Sequence, residues 1–257
     1  MKSKNYQQIE NWLTETYLRA GFKYGVIAVS GGIDSAVSLT LLTKALGADQ
    51  VFPVLLPHAN QEMSDALAIV KFNQIPEANI RTINIQPAVM SLAETVGLDT
   101  KSSSREEKLR LGNIMARARM IVVYDLAKQL GALVCGTENK SEKHLGYFTR
   151  FGDEASDVEP LQHLYKTEVR ELAQELKLPD QFLSKSPSAG LWSGQTDEQE
   201  LGFSYEVADQ VLIELIEKKV SPERIKLPNL GSSQVFAVIN RVKSSAYKLN
   251  VPKIINN

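Results

Sequence analysis

The feature that most constrains the fold is a glycine-rich turn between an apolar run and a helical segment, in residues 24–47. The run YGVIAVS is short and rich in Val and Ile, which is typical of a buried strand. The turn SGGIDS follows it, and SAVSLTLLTKALG then predicts a helix that ends at Gly47. Since a strand leads directly into a helix, we expect βαβ units and a parallel sheet.

The same alternation continues down the chain. VFPVLLP, IRTINI and ALVCGT predict further strands, although Pro53 suits only an edge or the start of a strand. SDALAIVKFNQ, QPAVMSLAETVG and residues 104–130 predict helices between them, and another helix ends at Gly21. We therefore expect a doubly wound, Rossmann-like α/β fold with a mostly parallel sheet and helices on both faces.

Residues beyond about 165 change character, because strand-like runs give way to helical ones. HLYKTEVRELAQELKLP, DEQELGFSYEVADQVLIELIEKK and SSQVFAVINRVKSSAYKLN each predict a helix, and the polar stretch LSKSPSAGLWSGQTDEQ predicts a long loop over an active site. We expect one domain over 1–257, with an α/β core at about 20–165 and a helical part at about 166–257.

Charge and cysteine content exclude several classes of partner. Lys and Arg number 29 against 30 Asp and Glu, so nothing indicates a nucleic-acid duplex or an anionic membrane. The N-terminus lacks the apolar core of a signal peptide, and the single cysteine, Cys135, lies in an apolar run typical of a buried thiol. We expect a cytoplasmic protein without disulfides.

The turn itself has the chemistry of a phosphate site. A helix N-terminus after a strand presents unpaired N–H groups, and Gly31 and Gly32 let a phosphate approach the backbone. Ser30 and Ser35 supply hydroxyl donors. Asp34 would repel a phosphate unless a cation lay between them, so its presence predicts Mg²⁺.

A helix cap on a glycine turn is the alternative interpretation. The buried strand directly before the turn favours the phosphate site, and SGGIDS differs from both the lysine-bearing P-loop and the dinucleotide fingerprint. The missing lysine argues against transfer of a γ-phosphate.

SGGIDS resembles the pyrophosphate-binding motif of the ATP pyrophosphatase superfamily, whose members split ATP into AMP and pyrophosphate. Further stretches resemble, in order and spacing, the ammonia-dependent NAD synthetases: GNIMARARM, GTENKSE, GYFTRFGDEASDVEPLQHLYKTEV, KSPSAGL and DEQELGFSY. The resemblance implies a homodimeric ligase with a doubly wound fold. Its reaction would be the last step of NAD biosynthesis, in which deamido-NAD, ATP and ammonia give NAD, AMP and pyrophosphate through an NAD-adenylate.

The same resemblance implies roles for particular residues. Asp34, Asp153 and Lys166 would be catalytic, and Asp34, Glu142 and Asp153 would hold Mg²⁺. The ATP site would comprise Ala28, Val29, Ser30, Gly31, Gly32, Ile33, Asp34, Ser35, Thr137, Lys166 and Ser188.

Each of these positions also has a plainer interpretation. Glu142 fits a solvated helix residue, Asp153 a turn residue after glycine, and Thr137 an N-cap for the next helix. Lys166 opens a helix, where the dipole disfavours a cation, and this placement favours a ligand-binding role.

For deamido-NAD, the resemblance points to Arg117, Arg150, Asp157, Tyr247 and Lys248. Arg117 and Arg119 lie two apart on a helix and face different directions, so we expect at most one of them, Arg117, to reach the substrate. Arg150 replaces a lysine usual in the family, and Tyr247 with Lys248 replaces a frequent His-Lys pair. A solvated face of the C-terminal helix is the plainer interpretation of that pair.

The synthetase-like stretches run through most of the chain, so we expect free ammonia rather than glutamine as nitrogen donor, with a separate glutaminase subunit left open. Two other functions remain as alternatives. One is another adenylating enzyme, such as a tRNA-modifying one; near-neutral charge counts against it. The other is a nucleotide-binding regulator without turnover, which the joint presence of Asp34, Glu142, Asp153 and Lys166 disfavours.

Overall fold

The computed structural model of the protein describes residues 6–187 and 196–249, and four strands in these ranges form one parallel sheet in the order β3-β2-β1-β4. They are β1 (Tyr24–Ala28), β2 (Val51–Leu55), β3 (Arg81–Thr82) and β4 (Ala132–Cys135). The predicted α/β fold with a parallel sheet is confirmed. The strand order reverses between β1 and β4, and ligands of such sheets bind where the carboxyl ends of those strands part.

Helices surround the sheet and continue after it. The helices up to β4 are α1 (Tyr6–Ala20), α2 (Ile33–Leu46), α3 (Ser64–Phe72), α4 (Gln86–Thr95) and α5 (Arg105–Leu130). Those after β4 are α6 (Lys140–Leu145), α7 (Lys166–Glu175), α8 (Asp180–Ser184), α9 (Asp197–Leu201), α10 (Tyr205–Leu212) and α11 (Ser232–Ser245). None of the helices in the described ranges has the length and apolar character to cross a bilayer.

Both faces of the sheet are buried, which explains why its strands are apolar throughout instead of alternating. Ile27 packs with α1, α2, α3 and α7 on one face, whereas its neighbour Val26 packs with α4 and α5 on the other. Successive side chains of a strand point to opposite faces, so an entirely apolar strand is the expected result.

Pro53 lies inside β2, an interior strand, although a proline was expected only at an edge or a strand start. The amide of Val29 donates to the carbonyl of Val54, so Val54 faces β1 and Pro53 faces the β3 side. Pairing with β3 begins only at Val54, opposite Arg81. The missing N–H of Pro53 therefore leaves no ladder bond unmade.

Two predicted elements differ in extent. The strand predicted from IRTINI pairs regularly only over Arg81–Thr82. The single helix predicted from DEQELGFSYEVADQVLIELIEKK is interrupted, because Gly202 adopts a left-handed φ of 81° after α9 and Ser204 caps α10. The interruption directs α10 and α11 into a separate apolar cluster with Leu145 and Tyr165.

Candidate active site

The turn after β1 is shaped by a close approach between Gly31 and α3. Gly31 has a φ of 81°, and a Cβ there would lie 2.7 Å from Cβ of Asp65 and 2.9 Å from the amide nitrogen of Ala66. Glycine is therefore required for both conformation and space. The segment from Ala28 through Val29 to Ser30 thus leaves the sheet and reaches the first turn of α2, which begins at Ile33.

Two serine hydroxyls of the turn face each other. Oγ of Ser30 and Oγ of Ser35 lie 3.2 Å apart, and the Ser35 hydroxyl donates to the carbonyl of Gly32 at 2.9 Å. Gly32 stands at the N-cap of α2 and provides no side-chain cap for its amides. The turn thus combines an uncapped helix N-terminus with adjacent hydroxyls, which is the arrangement predicted for a phosphate site.

Lys166, Asp34 and Glu142 form a buried cluster that we call the Lys166 centre. Nζ of Lys166 donates to Oδ2 of Asp34 at 2.6 Å and to Oε1 of Glu142 at 2.8 Å. The lysine side chain is 2% exposed and each carboxylate side chain 16%. Glu142 is therefore not a solvated helix residue, and the cation at the start of α7 is explained by two anions that outweigh the helix dipole.

The electrostatics of the centre follow from burial and opposing neighbours. Burial raises the pKa of Glu142, Lys166 opposes this by favouring the charged form, and Asp34 raises the pKa further. Burial alone would lower the pKa of Lys166, but the two carboxylates more than offset that effect and hold the pKa above its ordinary range. The lysine is therefore permanently charged in this setting.

Asn139 aligns the two carboxylates and was not singled out from the sequence. Its Nδ2 donates to Oδ1 of Asp34 at 2.9 Å, and its Oδ1 accepts from the amide of Glu142 at 3.0 Å as the N-cap of α6. The cap of α6 is thus Asn139 and not Thr137, which lies half-buried at the carboxyl end of β4. The spacing Asn-x-x-Glu of a capping box was the available signal.

A third carboxylate, Asp197, belongs to the same network. Tyr205 lies with its hydroxyl 3.1 Å from Oδ2 of Asp197 and 3.4 Å from Oε1 of Glu142, and its ring centroid is 5.0 Å from Nζ of Lys166. Asp197 is 3% exposed, and its Oδ1 is buried with no hydrogen-bond partner among the described residues. Both residues lie in DEQELGFSY, so their segment was noticed from the sequence and their contacts were not.

Asp209 fixes the start of α7 and so the position of Lys166. Its Oδ2 accepts from the amide of Thr167 at 2.9 Å, and its Oδ1 accepts from the hydroxyl of Ser141. Oγ of Ser141 in turn accepts from the amide of Lys166 at 2.8 Å. The Asp209 carboxylate and the Ser141 hydroxyl that it orients thus each satisfy one amide in the first turn of α7.

Asp34 and Glu142 fit a magnesium ion. Two hard oxygen ligands already converge on one cation, and Mg²⁺ takes one or two carboxylates together with waters and phosphate oxygens. Asp153 is not in this pair: it is exposed, and its Oδ1 accepts from the amide of Thr149 at 3.0 Å. Residues 6–187 and 196–249 contain no group of three or more His, Cys, Asp or Glu placed to hold a metal.

A second acidic pair, Glu138 and Glu159, lies at the carboxyl end of β4. Oε2 of Glu159 accepts from the amide of Glu138 at 3.1 Å, and a Cβ at Gly136 would lie 1.9 Å from Oε1 of Glu159. Burial raises the pKa of Glu138 to about 7 and that of Glu159 to about 8. The glycine at position 136 thus makes room for a carboxyl group.

Three of the residues expected to bind the second nucleotide lie just after α6 and just after α11. Arg150, Tyr247 and Lys248 form what we call the Arg150 surface: the guanidinium of Arg150 lies 5.4 Å from the Tyr247 ring centroid, and Nζ of Lys248 donates to the carbonyls of Gly146 and Phe148, each at 2.7 Å. Tyr247 is 59% exposed, as expected for a solvated face, whereas Lys248 is partly buried.

Asp157 and the two arginines of α5 occupy different settings. Oδ2 of Asp157 accepts from the amide of Val134 at 2.8 Å and so ties its loop to β4. Arg117 is exposed, whereas Arg119 is directed to the carboxyl end of β2, where it donates to the carbonyl of Leu56 at 3.1 Å. The two arginines do face different directions. Ser188 lies outside the described residues.

Comparisons with known proteins find similarity along nearly the whole chain. The NAD synthase family model matches residues 5–252. The NH(3)-dependent NAD(+) synthetase of Pyrococcus furiosus is 42% identical over 98% of this chain and 95% of its own length. Among solved structures, the NMN synthetase of Francisella tularensis has a TM-score of 0.83 with 32% identity and covers both chains fully. The NH3-dependent NAD synthetase of Campylobacter jejuni has a TM-score of 0.78 with 29% identity, over 98% of this chain and 97% of its own.

Proposed function

Since this chain belongs to the NAD synthase family, we propose that the Lys166 centre is the adenylation site of a ligase that amidates deamido-NAD with ammonia. The products are NAD, AMP and pyrophosphate. The observation that carries the proposal is the bridge from Nζ of Lys166 to Asp34 on the nucleotide turn and to Glu142 on α6, beside the carboxyl ends of β1 and β4.

The reaction requires activation of a carboxylate. A nicotinate carboxylate resists attack by ammonia because its charge is delocalised and it has no leaving group. In the first step one carboxylate oxygen attacks the α-phosphorus of ATP, the bond from that phosphorus to the bridging oxygen breaks, and pyrophosphate leaves. In the second step ammonia attacks the acyl carbon, AMP leaves with the bridging oxygen, and the nitrogen loses a proton.

The residues of the site fit the charges of these steps. The uncapped N-terminus of α2, with Ser30 and Ser35, suits the departing pyrophosphate. Lys166 suits charge that develops on the α-phosphate. A magnesium ion on Asp34 and Glu142 would neutralise part of the triphosphate charge, which also explains why an acidic residue stands in a phosphate-binding turn.

The remaining assignments extend the proposal to the second substrate. Arg117, Arg150, Asp157, Tyr247 and Lys248 are assigned to deamido-NAD, Thr137 and Ser188 to ATP, and Asp153 to a second Mg²⁺ near ammonia. A homodimer is part of the proposal, because the exposed Arg117 and Tyr247 would then be completed by a second copy. The proposed location is the cytoplasm.

A second candidate substrate is the corresponding mononucleotide. The similarity to an NMN synthetase over the whole of both chains favours it. The same nicotinate carboxylate would be adenylated in either case. The difference lies in whether the enzyme must also bind the AMP half of the dinucleotide.

The test is turnover with nicotinate carboxylates labelled with ¹⁸O. The protein is incubated with ATP, Mg²⁺ and ammonium and with labelled deamido-NAD or labelled nicotinate mononucleotide in parallel. Adenylation predicts one ¹⁸O in AMP for each amide formed, and the ratio of the two kcat/KM values identifies the preferred substrate. Release of ADP and phosphate would contradict the mechanism, and ATP binding without amide formation would support a regulatory protein instead.

A further inference from the structure

We propose that Lys166 is a resident cation of the metal site, and that its ammonium occupies the position between Asp34 and Glu142 until magnesium enters together with ATP. The inference rests on the proposed function, because it assigns the two carboxylates to a metal. It adds a sequence of binding events to that function. ATP and the metal enter together, and Lys166 moves from the two carboxylates to a phosphate in the same event.

The first observation is that Lys166 forms ion pairs with both proposed metal ligands at once. Its Nζ lies 2.6 Å from Oδ2 of Asp34 and 2.8 Å from Oε1 of Glu142, and these same oxygens are the ones that a metal would take. A metal ion and the ammonium cannot share this position, because two positive charges a few ångströms apart in a buried site repel strongly.

The second observation is that solvent cannot hydrate the Lys166 ammonium if a metal displaces it from the two carboxylates. Its side chain is 2% exposed, and the ring of Tyr205 covers the ammonium at 5.0 Å from the ring centroid. An ammonium left without a partner in such a setting costs several kcal/mol, roughly as for any broken buried ion pair. Magnesium alone therefore has to overcome both repulsion and the loss of the lysine's partners.

ATP removes both obstacles. Its triphosphate, seated on the turn at Ser30–Ser35, would offer new anionic acceptors to the lysine close to Asp34. The same ammonium thus pairs with the carboxylates before ATP binds and with a phosphate afterwards. Metal and nucleotide consequently bind cooperatively, and free magnesium binds poorly.

The decisive measurement is metal binding without nucleotide or turnover. Mn²⁺ affinity is measured from the EPR signal of the free ion for the wild-type protein, Lys166→Met and Lys143→Met. Lys143 is the matched control, since it also lies in the acidic neighbourhood of α6 but donates to Gln162 rather than to Asp34 or Glu142. We expect Lys166→Met to bind Mn²⁺ about tenfold or more tightly than the wild type and the control to change little. An unchanged or weaker affinity in Lys166→Met overturns the proposal.

A second measurement needs no variant and remains decisive if Lys166→Met fails to fold. The unfolding temperature of the wild-type protein is measured with Mg²⁺ alone, with the α,β-methylene analogue of ATP alone, and with both. We expect the joint shift to exceed the sum of the separate shifts, because each ligand removes an obstacle to the other. Additive shifts overturn the proposal.

These outcomes separate the inference from the proposed function. A protein that makes NAD but shows additive shifts and no effect of Lys166→Met on Mn²⁺ binding retains the function and lacks the cation exchange. A protein that shows the exchange but forms no amide retains the exchange and lacks the function.

Discussion

The Lys166 centre and the Arg150 surface differ in how completely one chain supplies their partners. In the Lys166 centre, charged groups from α2, α6 and α7 form ion pairs with one another in a nearly closed site. On the Arg150 surface, an arginine rests on a tyrosine that is 59% exposed. The proposed ATP half of the site is therefore prearranged within one chain, whereas the proposed deamido-NAD half is exposed.

The largest effect is expected from the closed half. Asp34→Ala removes a partner of Lys166 and a proposed metal ligand, so Mg²⁺-dependent adenylation should fall by about 10³-fold or more. Pyrophosphate release measures the loss, and circular dichroism checks that the fold persists. Retained activity would remove Asp34 from the site and make the closed cluster purely structural.

Asp209 is not assigned to any substrate, so substituting it tests whether the fixed position of α7 contributes to catalysis. Asp209→Ala leaves the amide of Thr167 unsatisfied, which should destabilise the protein by about 2 kcal/mol and lower kcat more than it changes KM for ATP. Asp209→Asn keeps one acceptor and should recover part of kcat. Glu206→Ala, on the same helix but paired with Arg170 at the surface, is the control and should be near neutral.

The Glu138–Glu159 pair tests how much burial of acidic groups at the carboxyl end of β4 lowers the stability of the fold. Burial raises the pKa of Glu159 from an ordinary 4.5 to about 8, so between these values the folded state holds a proton that the unfolded state has released. The free energy of unfolding should therefore fall as pH rises through this window. In the wild type we expect this fall to be on the order of 2 kcal/mol, and Glu159→Gln should abolish it. Urea unfolding near the two ends of the pH window measures the difference. A variant with the wild-type pH dependence would contradict the assignment.

Gly31 and Gly21 have similar φ angles, so substituting each of them distinguishes the cost of backbone strain from the cost of a steric clash. Gly31 has a φ of 81° and would place a Cβ against Asp65, whereas Gly21 has a φ of 76° with no atom within 4 Å of a Cβ. Gly21→Ala should cost about 1 kcal/mol from strain alone. Gly31→Ala should cost more than this and weaken ATP binding by calorimetry, because its Cβ displaces the turn from α3. Equal costs would mean that the turn adapts freely.

The smallest effect is expected on the open surface. Arg150→Ala should raise KM for deamido-NAD by about tenfold and leave KM for ATP unchanged, as for loss of one charge-assisted contact at an exposed site. Arg150→Lys retains the charge and should lose less. Since the mononucleotide lacks the AMP half, an equal effect on both substrates would place Arg150 at the nicotinate end.

The local parts of this design could be predicted from the sequence. The turn at residues 30–35, the alternation of strands and helices, and the unusual cation at the start of α7 all follow from neighbouring residues, and the structure agrees with them. The ion pair between Lys166 and Asp34 could not be predicted, because Asp34 lies 132 residues earlier in the chain. Only the fold brings these side chains together.

Asn139, Asp197 and Asp209 were missed for the same physical reason. Asn139 and Asp209 bind elements distant in the chain, and Asp197 joins the Lys166 centre through Tyr205, which also contacts Glu142 63 residues earlier. Composition and periodicity carry no information about such contacts. Pro53 and Gly202 show the reverse case. Pro53 fits an interior strand because β3 pairs with β2 only from Val54 onward. Gly202 ends α9 although the apolar pattern of the sequence continues past it.

The separation of Asp34 and Lys166 also matters during synthesis. Asp34 leaves the ribosome 132 residues before the lysine that neutralises it, and Glu142 precedes Lys166 by 24 residues. A nascent chain that has completed β4 and α6 thus carries both carboxylates at the sheet edge without their cation. The contacts of the Lys166 ammonium to Asp34 and Glu142 can therefore form only after α7 has been synthesised. Maturation of the nucleotide site is thereby tied to completion of the helices that follow the sheet.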